Sequence, residues 1–318
     1  MSPLTETGVG RPAAILIAGP TASGKSALAL ALASGFGGTV VNTDSMQVYA
    51  DLRRLSARPM PDEESRAPHR LYGTVDGAVN YSVGAFSREA GGILGEIEAE
   101  GRLPIFVGGT GLYFRALEEG LSNLPTVPEA VREAVRGRAE GRCTEDLHAE
   151  LASLDPAGAQ TLRPSDRMRV MRAIEVFEAT GRPIADFQGQ RRAGPLAGRP
   201  LLRFFLSVDR DELRRRIDAR FVSMLEEGAL DEVEALRARR LDPMLPVMRA
   251  HGVPGLIAHL DGTISRDEAI ARGQGDTRRY AKRQHTWFRH QMGDDWIWTD
   301  PDSAFRIAVE RLSAPGGR

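Results

Sequence analysis

Lysine and cysteine are nearly absent from this 318-residue chain. Of its 42 basic residues only Lys25 and Lys282 are lysine, and the other 40 are arginine. So strong a bias reads as a property of the coding sequence, and it makes the two surviving lysines worth locating. A single cysteine, Cys143, excludes an intramolecular disulfide framework and any thiolate zinc cluster; in GRCTEDLH it reads as an ordinary thiol. No apolar run approaches the roughly 18 residues of a membrane span, and MSPLTETGVGRP has no apolar core of signal-peptide length. Neither sign of charge dominates, with a net charge of −1. Hydrophobic residues at 42% and charged residues at 27% exclude a disordered tail protein. The expectation is a soluble protein of a reducing compartment, the cytoplasm, with no membrane partner and no obligate protein partner.

What is present is a rhythm of strands and helices. AAILIAG (13–19) is a short apolar run ending in glycine, which reads as a buried parallel strand. An alanine- and leucine-rich helix follows it (26–34). TVVNTDS (39–45), LPIFVGG (103–109) and LLRFFLSV (201–208) are further strands, with helices over 82–101 and 211–228. Such alternation predicts an α/β fold, a parallel sheet flanked by helices, and the G-x4-G-K-[ST] run at 19–26 makes it P-loop NTPase-like. Residues 121–198 break the rhythm: they hold several short helical segments and no convincing strand, so they read as an inserted all-helical lobe. The core is then 1–120 with 199–318, and a helix-rich tail ends in the basic stretch TRRYAKRQHTWFRHQ (277–291).

Gly19-Pro20-Thr21-Ala22-Ser23-Gly24-Lys25-Ser26 matches G-x4-G-K-[ST] between a strand and a helix. Its glycines let backbone N–H groups close around phosphate oxygens, and the helix N-terminus adds partial positive charge. Lys25 supplies a mobile point charge, and the Ser26 hydroxyl can ligate Mg²⁺. The motif fixes a phosphate-bearing ligand without saying which one. Asp44, at the end of the second strand, stands beside this loop in a doubly wound sheet. It reads as a base, as an outer Mg²⁺ ligand, or as a helix-capping aspartate. Gly108-Gly109-Thr110-Gly111 follows the third strand into the same crevice and is a weak signal by itself.

GPTASGKS, DSMQVY, LSARP, PHRLYG, GRLPIFVGGTGLYFRAL, SDRMRVMRAIEVFEATG and AKRQHTWFR occur in the order found in tRNA dimethylallyltransferases, and the chain resembles that family from about residue 13 to 300. The resemblance implies transfer of a dimethylallyl group from dimethylallyl diphosphate to N6 of adenosine 37, beside the anticodon of tRNA, with Mg²⁺ as cofactor. Residues 19–26 would hold the diphosphate, although a generic reading of the loop gives ATP. Asp44 matches the family's general base, and Arg220 matches an arginine reaching the diphosphate with Thr21. Asp44, Ser45, Met46 and Gln47, with Thr110, Arg132, Met168, Arg169, Val170, Met171 and Arg172, match tRNA-contacting positions. So do Lys282, Arg283 and Arg289 in the 282–289 segment, and the lobe 121–198 would bind tRNA. The family's T-A-K-P-like lysine is Arg58 here, and its usual Gly-Tyr followed by a basic residue appears as Gly252-Val253-Pro254. Two other readings of the residues remain: an adenylate isopentenyltransferase acting on free nucleotide, and a P-loop small-molecule kinase.

Overall fold

The structure is a computed structural model that describes residues 12–189 and 191–314. The first eleven residues, read above as lacking a signal peptide, lie outside that range, as does Gln190.

The chain begins with β1 (Ala14–Ala18), α1 (Lys25–Phe36) and β2 (Gly38–Asn42). Then come α2 (Pro61–Arg66), β3 (His69–Arg70), α3 (Val83–Ala99), β4 (Leu103–Gly108) and α4 (Gly111–Glu118). Next are β5 (Leu121–Ser122), α5 (Glu129–Ala139), α6 (Thr144–Leu154), α7 (Pro156–Thr161), α8 (Arg167–Thr180) and β6 (Arg191–Arg192). The remainder is β7 (Leu201–Leu206), α9 (Arg210–Glu226), α10 (Ala229–Ala238), α11 (Val253–Leu260), α12 (Arg266–Gln291), β8 (Ile297–Thr299) and α13 (Pro301–Ser313).

Two compact units emerge, one of residues up to Glu118 and from Gly194 onward, the other Glu119–Ala193. In the first, six parallel strands lie in the order β3-β2-β4-β1-β7-β8. Side chains alternate across this sheet with the period of two that a strand imposes. Ile15, Ile17, Ile105, Val107, Phe204 and Leu206 join α1 and α13 on one face. Leu16, Phe106 and Phe205 join α3, α4 and Phe288 of α12 on the other. A further core lies beside the sheet, where Val48, Tyr49 and Leu52 pack with Phe221, Leu225, Val233 and Leu256. It fixes the segment after β2 against the C-terminal helices.

The second unit has its own core of Val135, Leu147, Leu151, Val170 and Ile174. The segments entering and leaving this unit are joined by a two-residue antiparallel ladder, β5 with β6, which the sequence did not suggest. β8 and α13 were also unforeseen. A three-residue edge strand carries no periodicity, but the helix had a legible start: Pro301 follows Asp300, whose carboxylate accepts the Ser303 N–H at 2.9 Å.

Candidate active site

Register decides where the site forms. Ala18 pairs with Gly108, and Asn42 with Val107, so β1, β2 and β4 end level with one another. Three loops therefore leave one edge of the sheet together: 19–24, 43–47 and 109–110. The carboxyl ends of parallel strands are where open α/β sheets bind their ligands.

The first loop turns through two left-handed residues, Ala22 at φ 63° and Gly24 at φ 88°. Lys25 opens α1, and its ammonium donates to the Pro20 carbonyl at 3.1 Å, curled over its own loop. Burial brings its pKa down from 10.5 to about 8; Asp44 opposes that fall and Arg220 adds to it. Three chain segments are thus felt at one nitrogen. The Ser23 hydroxyl is fully buried and has no hydrogen-bond partner among the described residues.

The second loop is pinned by the buried Asn42. Its amide donates to the carbonyls of Asp44 and Leu71, at 2.9 and 3.0 Å, while its oxygen accepts the Asp44 N–H at 2.8 Å. Asp44 itself accepts the Met46 N–H through Oδ1 at 2.9 Å. That bond is the local turn-capping role; Oδ2 is left for other work. Gln47 donates to the carbonyls of Ser56 and Ala57, both at 3.0 Å, which ties the 44–47 turn to the next wall of the site.

The third loop is glycine-rich for three separate packing reasons. A side chain on Gly108 would meet the Thr43 carbonyl at 2.1 Å, one on Gly109 the Gln284 amide at 1.9 Å, and one on Gly111 the Trp287 ring at 2.0 Å. Thr110 uses its hydroxyl on Ser45, accepting from Ser45 N at 2.9 Å and donating to Ser45 Oγ at 3.3 Å. It positions the Asp44 turn as a buttress.

The first two of these loops, with helices α9 and α12, line one cavity, and the third packs behind Asp44 and Gln284. Its walls include Thr21, Lys25, Ser26, Asp44, Arg220 and Gln284. Arg220 is solvent-accessible at the cavity wall, yet the surrounding protein lowers its pKa, with Glu63 and Glu227 partly offsetting this. Arg214, Arg215 and Arg216, on the same helix, are exposed and absent from the wall. His251 and Tyr280 also line it, with ring centroids 4.6 Å apart. Burial raises the Tyr280 pKa and the Asp44 charge raises it further. Ser26 Oγ and the Asp44 carboxylate are hard oxygen donors in a common cavity. They suit Mg²⁺ when a diphosphate supplies further oxygens. Among the described residues no cluster of three or more His, Cys, Asp or Glu could hold a metal by itself.

Residues 47–291 match the sequence profile of the IPP transferase family. The chain belongs to that family. It is 72% identical to the tRNA dimethylallyltransferase of Methylorubrum populi over 309 residues, 97% of each chain. Identity to the corresponding protein of Methylobacterium radiotolerans is also 72%, over 96% of this chain and 98% of that one. Among solved structures, the full-length tRNA isopentenylpyrophosphate transferase of Bacillus halodurans aligns with a TM-score of 0.66 at 32% identity, covering 94% of this chain and 96% of that one. A eukaryotic dimethylallyltransferase acting on tRNA aligns with a TM-score of 0.76 at 27% identity, over 93% and 77%.

The IPP transferase residues expected at RNA fall into two groups. In the first unit, Lys282, Arg283 and Arg289 are exposed on α12, and among the described residues none of the three is in an ion pair. Arg283 stacks over the Tyr280 ring at 5.7 Å. Arg278, which helical spacing puts roughly on the Lys282 face, is instead bound to Asp218 of α9. In the second unit Met168 is 61% exposed, while Arg169 pairs with Asp166 at 3.5 Å, and Arg172 and Arg132 with Glu175 and Glu129 at 3.3 Å each. Val170 is corrected: it is fully buried in that unit's core, so its side chain offers nothing to RNA. Met171 packs partly against the same core. Helical periodicity, three to four residues per turn, already assigns Val170 to the inner face.

Proposed function

We propose that this enzyme transfers the dimethylallyl group of dimethylallyl diphosphate to N6 of adenosine 37 in tRNA. The observation carrying this reading is the shared cavity, with cationic groups for a leaving diphosphate at one wall and the free Asp44 oxygen at another. Thr21, Lys25, Arg220 and the loop N–H groups would neutralise the diphosphate as the C–O bond breaks. The N6 nitrogen forms the new bond to the allylic carbon, and its proton passes to Asp44. Mg²⁺ on Ser26 would supply further charge neutralisation. The adenine must leave its stack to reach the cavity, at a cost of a few kcal/mol that is least in a loop. An anticodon stem-loop meets that requirement. No described helix is long and apolar enough to cross a membrane. A tRNA substrate supports a cytoplasmic location.

Incubation with labelled dimethylallyl diphosphate or ATP, and with tRNA or AMP, tests the proposal. Label should appear on N6 of adenosine 37 only with the prenyl donor and tRNA. Transfer to AMP, or phosphoryl transfer from ATP, would replace the proposal with one of the two other activities.

Arg220→Gln should raise the apparent constant for the prenyl donor about tenfold, the loss of one charged phosphate contact, and leave that for tRNA unchanged. The opposite split in steady-state kinetics would place Arg220 on the RNA side.

Lys25 makes donor binding pH-dependent. Its pKa is about 8 in the free site, and a neighbouring diphosphate must raise it. Binding therefore takes up a proton wherever the free lysine is neutral. Affinity should level off below pH 8 and fall above it, approaching about tenfold per pH unit. Calorimetry in buffers of different ionisation enthalpy reads the proton uptake directly, and a flat profile to high pH would contradict it.

The α12 cations should set the salt dependence of tRNA binding. Replacing Lys282 and Arg289 together by glutamine should make the slope of log affinity against log salt shallower by roughly 1–2 units. An unaltered slope in the folded double variant would return this helix face to a purely structural role.

A further inference from the structure

Among the described residues, Gln284 is the one side chain lining the cavity with a buried polar atom that has no hydrogen-bond partner. It sits on α12, is 5% exposed, and donates through Nε2 to the Gly109 carbonyl at 2.9 Å. A carbonyl can only accept, so this bond fixes which end of the amide is which. The remaining atom, Oε1, is buried and has no hydrogen-bond partner among the described residues. An orphaned buried acceptor is costly, and native structures tolerate few of them without a purpose. Asp44 lies close by: a side chain on Gly109 would come within 3.3 Å of Asp44 Oδ2 as well as meeting the Gln284 amide. The Asp44 carboxylate and the Gln284 amide thus approach the same glycine, and both side chains line one cavity.

We infer that Gln284 Oε1 receives one hydrogen of the substrate's exocyclic amine while Asp44 takes the other. An amine at position 6 of a purine has two hydrogens, and the site offers two acceptors for them. The arrangement holds the amine in place before the proton leaves. It also discriminates, because a carbonyl at that position would set its oxygen against two acceptors. Gln284 is then a specificity-determining residue that reads an amino group, and this inference rests on the proposed transfer to N6.

The test uses anticodon stem-loops carrying adenosine, purine riboside or inosine at position 37, with affinities read by fluorescence anisotropy. Wild-type protein should bind in the order adenosine, purine, inosine. The adenosine-to-purine ratio should fall at least about fivefold in Gln284→Met, which keeps length and packing but cannot accept from the amine. Thermal melting establishes that the variant is folded; a residue that only anchors α12 to Gly109 would weaken all three ligands equally. Should Gln284→Met fail to fold, the wild-type order decides alone, since inosine binding as well as purine would overturn the inference. An unchanged ratio in the folded variant would overturn it too. Wild-type prenylation of the adenosine stem-loop, run alongside, separates the two claims: its absence would defeat the proposed function, whereas its presence with an unchanged ratio defeats only the role of Gln284.

Discussion

Asp44→Asn is expected to lower turnover at least ~10²-fold, the usual scale for loss of a general base, while dimethylallyl diphosphate affinity stays within a few-fold. Asparagine retains the oxygen that accepts the Met46 N–H, and Asn42 holds the turn through backbone atoms that the substitution leaves alone. Only the second carboxylate oxygen changes, from a basic acceptor to an N–H donor. Single-turnover rates at saturating donor and tRNA isolate the chemical step. Near-normal rates in the asparagine variant would remove Asp44 from the role of base.

Lys25→Ala should lower turnover by about 10²–10³-fold or more, because a charge aimed at the leaving group is lost where water is scarce. Its effect on stability should have the opposite sign. The Lys25 pKa in the folded chain, about 8, lies below the ordinary 10.5, so near pH 7 the folded state carries a protonated ammonium that its surroundings disfavour. That cost is present throughout the range below pH 8 and fades as pH rises toward 10.5. The alanine variant should therefore melt at the same temperature or higher at pH 7. A lower melting temperature would mean that the bond to Pro20 matters more for the fold than burial costs. Binding of tRNA should be nearly unchanged.

Two inner strands, β1 and β4, were legible because they are apolar, partly β-branched and closed by glycine, as in AAILIAG and LPIFVGG. Each stands within a residue or two of where composition put it. The 19–26 loop was legible as a strand-to-helix turn because its glycine spacing sits between an apolar run and an alanine- and leucine-rich one. The rest of the site was not, since it depends on residues far apart in sequence. The glycines at 108, 109 and 111 looked like a common turn, and their reasons lie in Thr43, Gln284 and Trp287. Gln284 stood inside a recognisable block of sequence, but nothing local marks it as half-satisfied. Its partner is 175 positions away. Arg278 and Lys282 look alike in the basic tail, and only the packing of α9 against α12 assigns one to Asp218 and leaves the other exposed. Val170 shows the converse error. A block match carried it toward RNA when its helical position already placed it in the core.

The measurement that bears most directly on the shared cavity is a crystal structure with tRNA and an unreactive thiolodiphosphate analogue of dimethylallyl diphosphate. The proposed mechanism predicts the diphosphate within hydrogen-bonding distance of the 21–26 backbone N–H groups and the Lys25 ammonium, with Arg220 on its far side. The allylic carbon should point at an extruded adenine whose amine meets Asp44. A diphosphate seated away from the 19–26 loop, or an adenine whose amine is out of reach of Asp44, would contradict it.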